Sequence, residues 1–404
     1  MNINNKLKYF SPLPKCNQNN VNYLPIALAW CLMLLLRAHS SGIPSYSLQH
    51  HLRTASHTID ELKKDLYLEL RNNDALKNNS TRFSIHIDQN AQHPNVSYVR
   101  SAVFAKILEI IRNSSYYTND STSACVHIAP VDTIDRDRRS KNGNYLYFIE
   151  QRLKFFPQWS DTNAIHLIFN HYTGTWPSYR RTLDFTLPSH YILASTSLTR
   201  SNYNCSSQLT FPLFHSDYPF YHFPSSSTSR TILLSFKGKS YEDVQHHRTF
   251  FHHLNNNNDI IIKFTDNDTN SDNKTEYIKL LEQSHFCLVP SGRRLYSYRF
   301  LEVLQYGCIP VITSNDDESL ILPFSEIIDW SKSVIIYFNA SYSLLPAYLR
   351  MIHSNQRHAM RKECTQIWSK YFSSIERIVL TALQILNDRF LSSSSSSSSF
   401  PVVY

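Results

Sequence analysis

The chain has 404 residues, 42% of them hydrophobic, enough to bury a sizeable core and to fold as two or three domains. Its formal charge of +8 is moderate and the basic residues are spread rather than blocked, a pattern compatible with an anionic ligand that does not point to nucleic acid. No zinc-finger spacing, nucleic-acid motif or internal repeat is present.

Residues 21–36 (VNYLPIALAWCLMLLL) carry no charge, follow Lys6, Lys8 and Lys15, and precede Arg37. A bilayer span needs roughly 20 apolar residues, with about 17 as the lower limit. The run is short but sits far from the N-terminus, with its lysines on the N-terminal side. This predicts an uncleaved signal anchor, residues 1–20 as a cytosolic tail, and the remainder in the lumen. The other reading is a cleaved signal peptide with Ala38-His39-Ser40 at the cut. Asn-X-Ser/Thr triplets begin at Asn78, Asn79, Asn95, Asn113, Asn119, Asn204, Asn267, Asn273 and Asn339, in agreement with a lumenal compartment. Among the seven cysteines, Cys287 and Cys308 are expected to be small buried hydrophobes in neighbouring strands.

Residues 37–82 are polar and weakly periodic, with one helical stretch at 59–70, and read as a stem. A strand-like FSIHI then leads into a helical pattern at 97–114, followed by the strands ACVHIAPV (124–131) and AIHLIF (164–169). PSSSTSR (224–230) reads as a linker. Beyond it come TILLSF, DIIIKF, HFCLVP, CIPVIT and SVIIYF, with helical segments between, and then a long amphipathic stretch at 355–389. Alternating strands and helices predict parallel sheets covered on both faces. The reading is two α/β domains in series, 83–224 and 225–390, ending in a low-complexity serine tail at 391–404.

One segment breaks the apolar pattern. CLVPSGRRLYSYRFLEVLQYGCIPVI (287–312) places Arg293, Arg294, Arg299 and Glu302 between two hydrophobic strands. In open α/β sheets ligands sit at the carboxyl ends of strands, beside the N-termini of the following helices. Unpaired backbone N–H groups and the helix dipole favour an anion there, and guanidinium forks match phosphate oxygens. Arg299 and Glu302 share a helix face, so the arginine is expected to meet a phosphate and the glutamate a pair of ribose hydroxyls. SFKGKSY places Lys237 and Lys239 around Gly238 at another strand's end, where a second loop would pinch the same diphosphate. In the first domain, Asp132, Asp135 and Asp137 follow one strand and Trp176 another, suiting a sugar acceptor that loses a proton to a carboxylate and stacks on an aromatic ring. Gly174, Gly238, Gly292 and Gly307, four of the chain's six glycines, fall in these blocks. The histidines of HHRTFFHH lack a completing ligand and read as a polar helix face rather than a metal site.

FKGKSY, FCLVPSGRRLYSYRFLEVLQYGCIPVI, LPFSEIIDW and YFSSIERIVLTAL, with DTIDRD and HLIFNHYTGTWP upstream, closely resemble the N-terminal glycosyltransferase domain of the exostosin family, the heparan sulfate co-polymerases, and its exostosin-1-like branch in particular. The resemblance covers about residues 83–390. It implies two Rossmann-like domains facing a cleft, a GT-B type glycosyltransferase, with inverting chemistry and UDP-glucuronate as donor. The acceptor would be a growing heparan sulfate chain ending in N-acetylglucosamine. It implies a type II protein of the Golgi or endoplasmic reticulum membrane, a second exostosin as partner, and no required metal. On that pattern Asp135 is the candidate base, with Lys237, Lys239, Arg293, Arg294, Arg299, Glu302 and Trp176 as substrate-binding residues. The chain departs from the family in having Tyr296, Ser297 and Tyr298 in place of Gly-Ser-Phe, FSIHID in place of a cysteine-rich segment, a longer stretch around Glu318, and polyserine where a second transferase domain is expected. A different UDP-sugar, or a non-catalytic subunit that stabilises a partner exostosin, are the alternative expectations.

Overall fold

The computed structural model describes residues 83–88, 100–134, 148–172, 183, 185–215, 218–219, 229–240, 247–265, 273–292, 294–313, 320–337 and 342–394. The predicted anchor and stem lie outside these residues, as do Asp135, Trp176 and Arg293. No helix among the described residues is long and apolar enough to cross a membrane.

The first half opens with β1 (Ile85–Ile87) and α1 (Ala102–Arg112). Phe104, Ile107, Leu108 and Ile111 recur along α1 at the spacing of one helix face, and all are buried. Ser101 caps the helix by accepting from the Phe104 N–H at 3.2 Å. After β2 (Val126–Ile128) come α2 (Ile149–Lys154), β3 (Ile165–Asn170), β4 (His190–Ser195), the short β5 (Leu198–Thr199) and β6 (Gln208–Thr210). Strands β1, β2, β3, β4 and β6 pair in that order, all parallel.

The second half holds β7 (Ile232–Gly238), β8 (Ile260–Phe264), α3 (Asn273–Gln283), β9 (Ser284–Pro290), α4 (Arg299–Gln305), β10 (Ile309–Thr313), β11 (Leu320–Ile321) and β12 (Ile335–Tyr337). Its sheet order is β12-β10-β9-β7-β8, again parallel throughout. Burial on both faces explains the uninterrupted apolar runs in the sequence. Phe236, Phe286, Leu288, Ile309 and Val311 form the centre of this core, with Phe251 and Leu345 packed over them. Both sheets belong to the compact unit that contains Phe83–Asp388. A third, antiparallel pairing, β5 with β11, joins the halves through Leu320 opposite Thr199 and Ile321 opposite Leu198.

Two expectations change, and one stretch gains detail. Cys287 and Cys308 are disulfide-bonded, with a Cα–Cα distance of 5.9 Å, rather than free thiols. The register aligns Cys287 with Pro310, two residues beyond Cys308, and so brings the sulfurs within bonding range. The amphipathic stretch at the C-terminus is built of several segments. After α5 (Leu345–Met351) it divides into α6 (Ser354–Ile367), a π-helical turn (Trp368–Phe372) and α7 (Ile375–Ser394). The Phe372 carbonyl at the end of that turn accepts from the buried Tyr218 hydroxyl, which itself accepts from Trp368 Nε1 at 2.9 Å. Finally, α7 continues through Ser394, past residue 390, where the sequence places the end of structure.

Candidate functional site

Residues 291–298 leave the carboxyl end of β9 and enter α4. Arg294 and Tyr296 of this loop reach the carboxyl ends of two strands of the first sheet. Arg294 is buried and donates from Nη1 to the carbonyl of His171, just past β3, at 3.3 Å. Its guanidinium carbon lies 5.9 Å from the centre of the Tyr172 ring. Tyr296 donates its N–H to Ser197 Oγ, just past β4, at 3.2 Å, and its hydroxyl to the Ile321 carbonyl at 3.3 Å. The arginine loop therefore meets the first sheet just past β3 and just past β4. Lys239, at the end of β7, is exposed and forms no ion pair among the described residues, so its amine is open to an incoming anion.

Arg299 is turned inward. It donates from Nε to the Leu288 carbonyl at 2.7 Å and from Nη1 to the Lys237 carbonyl at 3.0 Å, and its Nη2 is buried with no hydrogen-bond partner. Two of its nitrogens thus hold the ends of β9 and β7 together, and the third, Nη2, remains. Glu302 accepts from the Tyr277 hydroxyl, where a ribose was expected. Burial raises its pKa above the usual carboxylate range, against the lowering effects of the Tyr277 hydroxyl and Arg299. Lys237 is buried and paired with Glu276 of α3, which also binds Lys263; the two amines hold the Glu276 carboxyl below its usual range. Asp132 spends both oxygens on backbone, accepting from the Ser101 N–H at 2.7 Å and the Ile134 N–H at 3.0 Å.

Arg248 is absent from the sequence-based candidates. It sits in a 3₁₀-helix, His247–Leu254, three residues before the fully buried Phe251. Its Nε donates to the Ser291 carbonyl at 2.8 Å, Nη1 to the Lys239 carbonyl at 2.9 Å and Nη2 to the Pro290 carbonyl at 3.3 Å. One side chain ties the arginine loop to the lysine loop. Arg248 and Arg299 also place their guanidinium carbons 5.6 and 5.1 Å from the centre of the Phe236 ring. Gly238 keeps that ring in place, because a Cβ there would lie 3.1 Å from Phe236 Cζ. The available signal was the spacing Arg248, Phe251, Leu254, the stripe of a 3₁₀-helix.

The exostosin GT47 domain model matches residues 67–352. The chain belongs to the exostosin GT47 family. Exostosin-1b of Danio rerio is 35% identical over 322 residues, 74% of this chain and 42% of that protein. Exostosin-1 of Bos taurus is 34% identical over 310 residues, 71% of this chain and 41% of its own length. This exostosin-family chain therefore spans about two fifths of the curated relatives it matches. Among solved structures, a point mutant of S. aureus TarM, crystallised with Fondaparinux, alpha-GlcNAc-glycerol and UDP, covers 71% of this chain (58% of TarM) at 10% identity with a TM-score of 0.36. WaaG, a glycosyltransferase of lipopolysaccharide biosynthesis, covers 74% (99% of WaaG) at 10% identity with a TM-score of 0.34. Those overlaps are too loose to assign anything at residue level.

Proposed function

We propose that this exostosin-family chain is an inverting glycosyltransferase that moves glucuronic acid from UDP-glucuronate onto an N-acetylglucosamine-ended heparan sulfate chain. The observation that carries the reading is the convergence of the arginine loop, through Arg294 and Tyr296, on the carboxyl ends of the first sheet. A donor lodged at β7 and β9 would present its sugar to an acceptor held by the first half. The acceptor hydroxyl attacks the anomeric carbon in line and loses its proton to a carboxylate, for which Asp135 is the candidate. The C–O bond to UDP breaks as the new one forms. Charge developing on the departing diphosphate is met by Arg293, Arg294, Lys239 and the remaining Nη2 of Arg299. Trp176 is the proposed platform for the acceptor sugar.

The setting belongs to the same proposal: a lumenal enzyme of the Golgi or endoplasmic reticulum, anchored at residues 21–36 and working beside a second exostosin. The Cys287–Cys308 disulfide supports an oxidising compartment. The test is a panel of UDP-sugars with a defined oligosaccharide acceptor, run with and without a partner exostosin. Transfer from UDP-glucuronate alone supports the reading; transfer from another donor reassigns the sugar. The commitment of Glu302 to Tyr277 favours the second reading, a stabilising subunit. Calorimetry showing no binding of UDP or UDP-glucuronate selects it.

A further inference from the structure

A second group of guanidinium side chains lies at the other end of the second sheet. Arg230 precedes β7 and donates from Nη1 to the Leu281 carbonyl at 2.8 Å and to the Ser284 carbonyl, and from Nη2 to the Tyr306 carbonyl at 2.5 Å. Arg361 of α6 joins it over Gly307. A Cβ at that glycine would lie 3.6 Å from Arg230 Nη2 and 3.6 Å from Arg361 Cγ, and Gly307 has a φ of +59° that suits glycine. Arg357 is one helical turn before Arg361 on the same face. His285, second residue of β9, is half-buried beside them. The strand has seven residues, so the cluster is roughly 20 Å from the arginine loop at about 3.3 Å per residue.

These arginines lack the ion pairs found elsewhere in the same half. Lys237 has Glu276 and Arg350 has Asp259, whereas Arg230, Arg357 and Arg361 form no ion pair among the described residues. The Nε atoms of Arg230 and Arg357 are buried without a hydrogen-bond partner. Arg230 feels the Glu282 carboxylate, but it also feels the like charge of Arg361, and an anion between the guanidinium groups removes that repulsion. Two guanidinium forks on one helix face match the paired oxygens of a carboxylate, sulfate or phosphate group. We propose that Arg357, Arg361 and His285, braced by Arg230, form an oxyanion-binding site at the amino-terminal edge of the second sheet.

His285 gives the site a signature. Burial, then the charges of Arg357, Arg230 and Arg361, push its pKa down to about 4 from an ordinary 6.5. The other titratable groups around Arg230 are Glu282 and the buried Cys364 thiol, which burial pushes up. A bound anion offsets the arginines, so His285 gains a proton when the anion binds. Affinity then rises as pH falls from about 6.5 towards about 4.

The test uses the full chain and follows its thermal midpoint in sodium sulfate against sodium chloride at equal ionic strength. Sulfate is expected to raise the midpoint beyond chloride, the difference is expected to vanish in R357Q/R361Q, and the pH dependence to flatten in H285Q. R357K/R361K keeps the charge without the fork and is expected to retain a weakened sulfate response, which separates binding from misfolding. Equal responses to the two salts, or an undiminished sulfate effect in R357Q/R361Q, overturn the proposal. Inorganic phosphate and a uronic-acid oligosaccharide then identify the source. Tighter, sulfate-competed binding of the oligosaccharide assigns the site to an acidic sugar chain; a response to sulfate and phosphate alone assigns it to a free ion. UDP binding at the arginine loop is measured in the same variants and is expected to be unchanged, so failure of this site is distinct from failure of the donor site.

Discussion

In the first sheet a row of imidazoles crosses three strands; at the carboxyl edge of the second, guanidinium groups clamp the strand ends. His86 is in register with His127, and His127 with His166, their ring centres 5.9 and 6.0 Å apart. All three are buried; His127 Nδ1 meets Asp88 Oδ1 at 3.1 Å, and His166 Nε2 meets the Gln158 carbonyl at 2.8 Å. Arg248 and Arg299 instead donate to backbone carbonyls of residues 237, 239, 288, 290 and 291. A guanidinium stays charged at any pH the protein meets, whereas an imidazole changes charge near neutrality. One topology therefore carries two kinds of polar interior, one sensitive to acid and the other to the loss of single side chains.

The largest expected effect tests the clamp. Arg248→Ala strips a donor from three carbonyls around the arginine loop and is expected to cost about 4 kcal/mol of stability. Loosening of the donor loops is expected to lower transfer on the order of 100-fold. Urea unfolding and an initial-rate assay read the two losses. Retained rate with reduced stability would leave Arg248 a purely structural residue. Next, Cys287→Ser opens a loop with a sequence separation of 21 and is expected to lose about 3 kcal/mol, seen as a lower urea midpoint. Transfer by the folded variant is expected to persist, because the disulfide lies within the sheet and away from the arginine loop.

These two sites also mark where the sequence could and could not be read. The strands from TILLSF to SVIIYF were legible because parallel strands buried on both faces leave unbroken apolar runs. The arginine loop stood out as charge interrupting such a run. Arg248 was not legible, since a histidine-rich stretch looks polar until its 3₁₀ spacing turns Arg248 inward with Phe251. The disulfide depended on register, which spacing along the chain does not supply. Arg299 was found, but its use on the carbonyls of Leu288 and Lys237 is a three-dimensional fact that no motif encodes. Two-residue strands such as β5 and β11 have too few positions to show a period.

Acid sharpens the contrast between the sheets. Burial holds the His166 pKa below its ordinary 6.5, opposed by the Gln158 carbonyl and the Asp88 charge. The unfolded chain then binds a proton that the folded chain does not, so stability falls as pH is lowered below about 6.5. Hydrogen exchange is expected to speed up in β2 and β3 at mildly acidic pH while the clamped carboxyl ends of β7 and β9 stay protected; in the second sheet the acid response is confined to the amino-terminal end of β9, where burial and the nearby arginines push the His285 pKa down to about 4. In His166→Phe this response of the first sheet is expected to shrink. An equal acid response at the carboxyl ends of β7 and β9 would refute the division drawn between the imidazole row and the arginine clamp.

The smallest effect is a control on the arginines themselves. Arg350 also donates to oxygen, meeting Asp259 Oδ2 at 2.9 Å, but its side chain is 49% exposed and that of Asp259 32%. Water competes for such a pair and salt screens it, so Arg350→Ala is expected to cost about 0.5 kcal/mol, less at high ionic strength. Measured beside Arg248→Ala in the same urea titration, it isolates burial as the variable, because both side chains lose a guanidinium bonded to oxygen. A cost for Arg350→Ala as large as that for Arg248→Ala would mean that the clamp at β7 and β9 owes its strength to the guanidinium alone, and not to the exclusion of water from the strand ends.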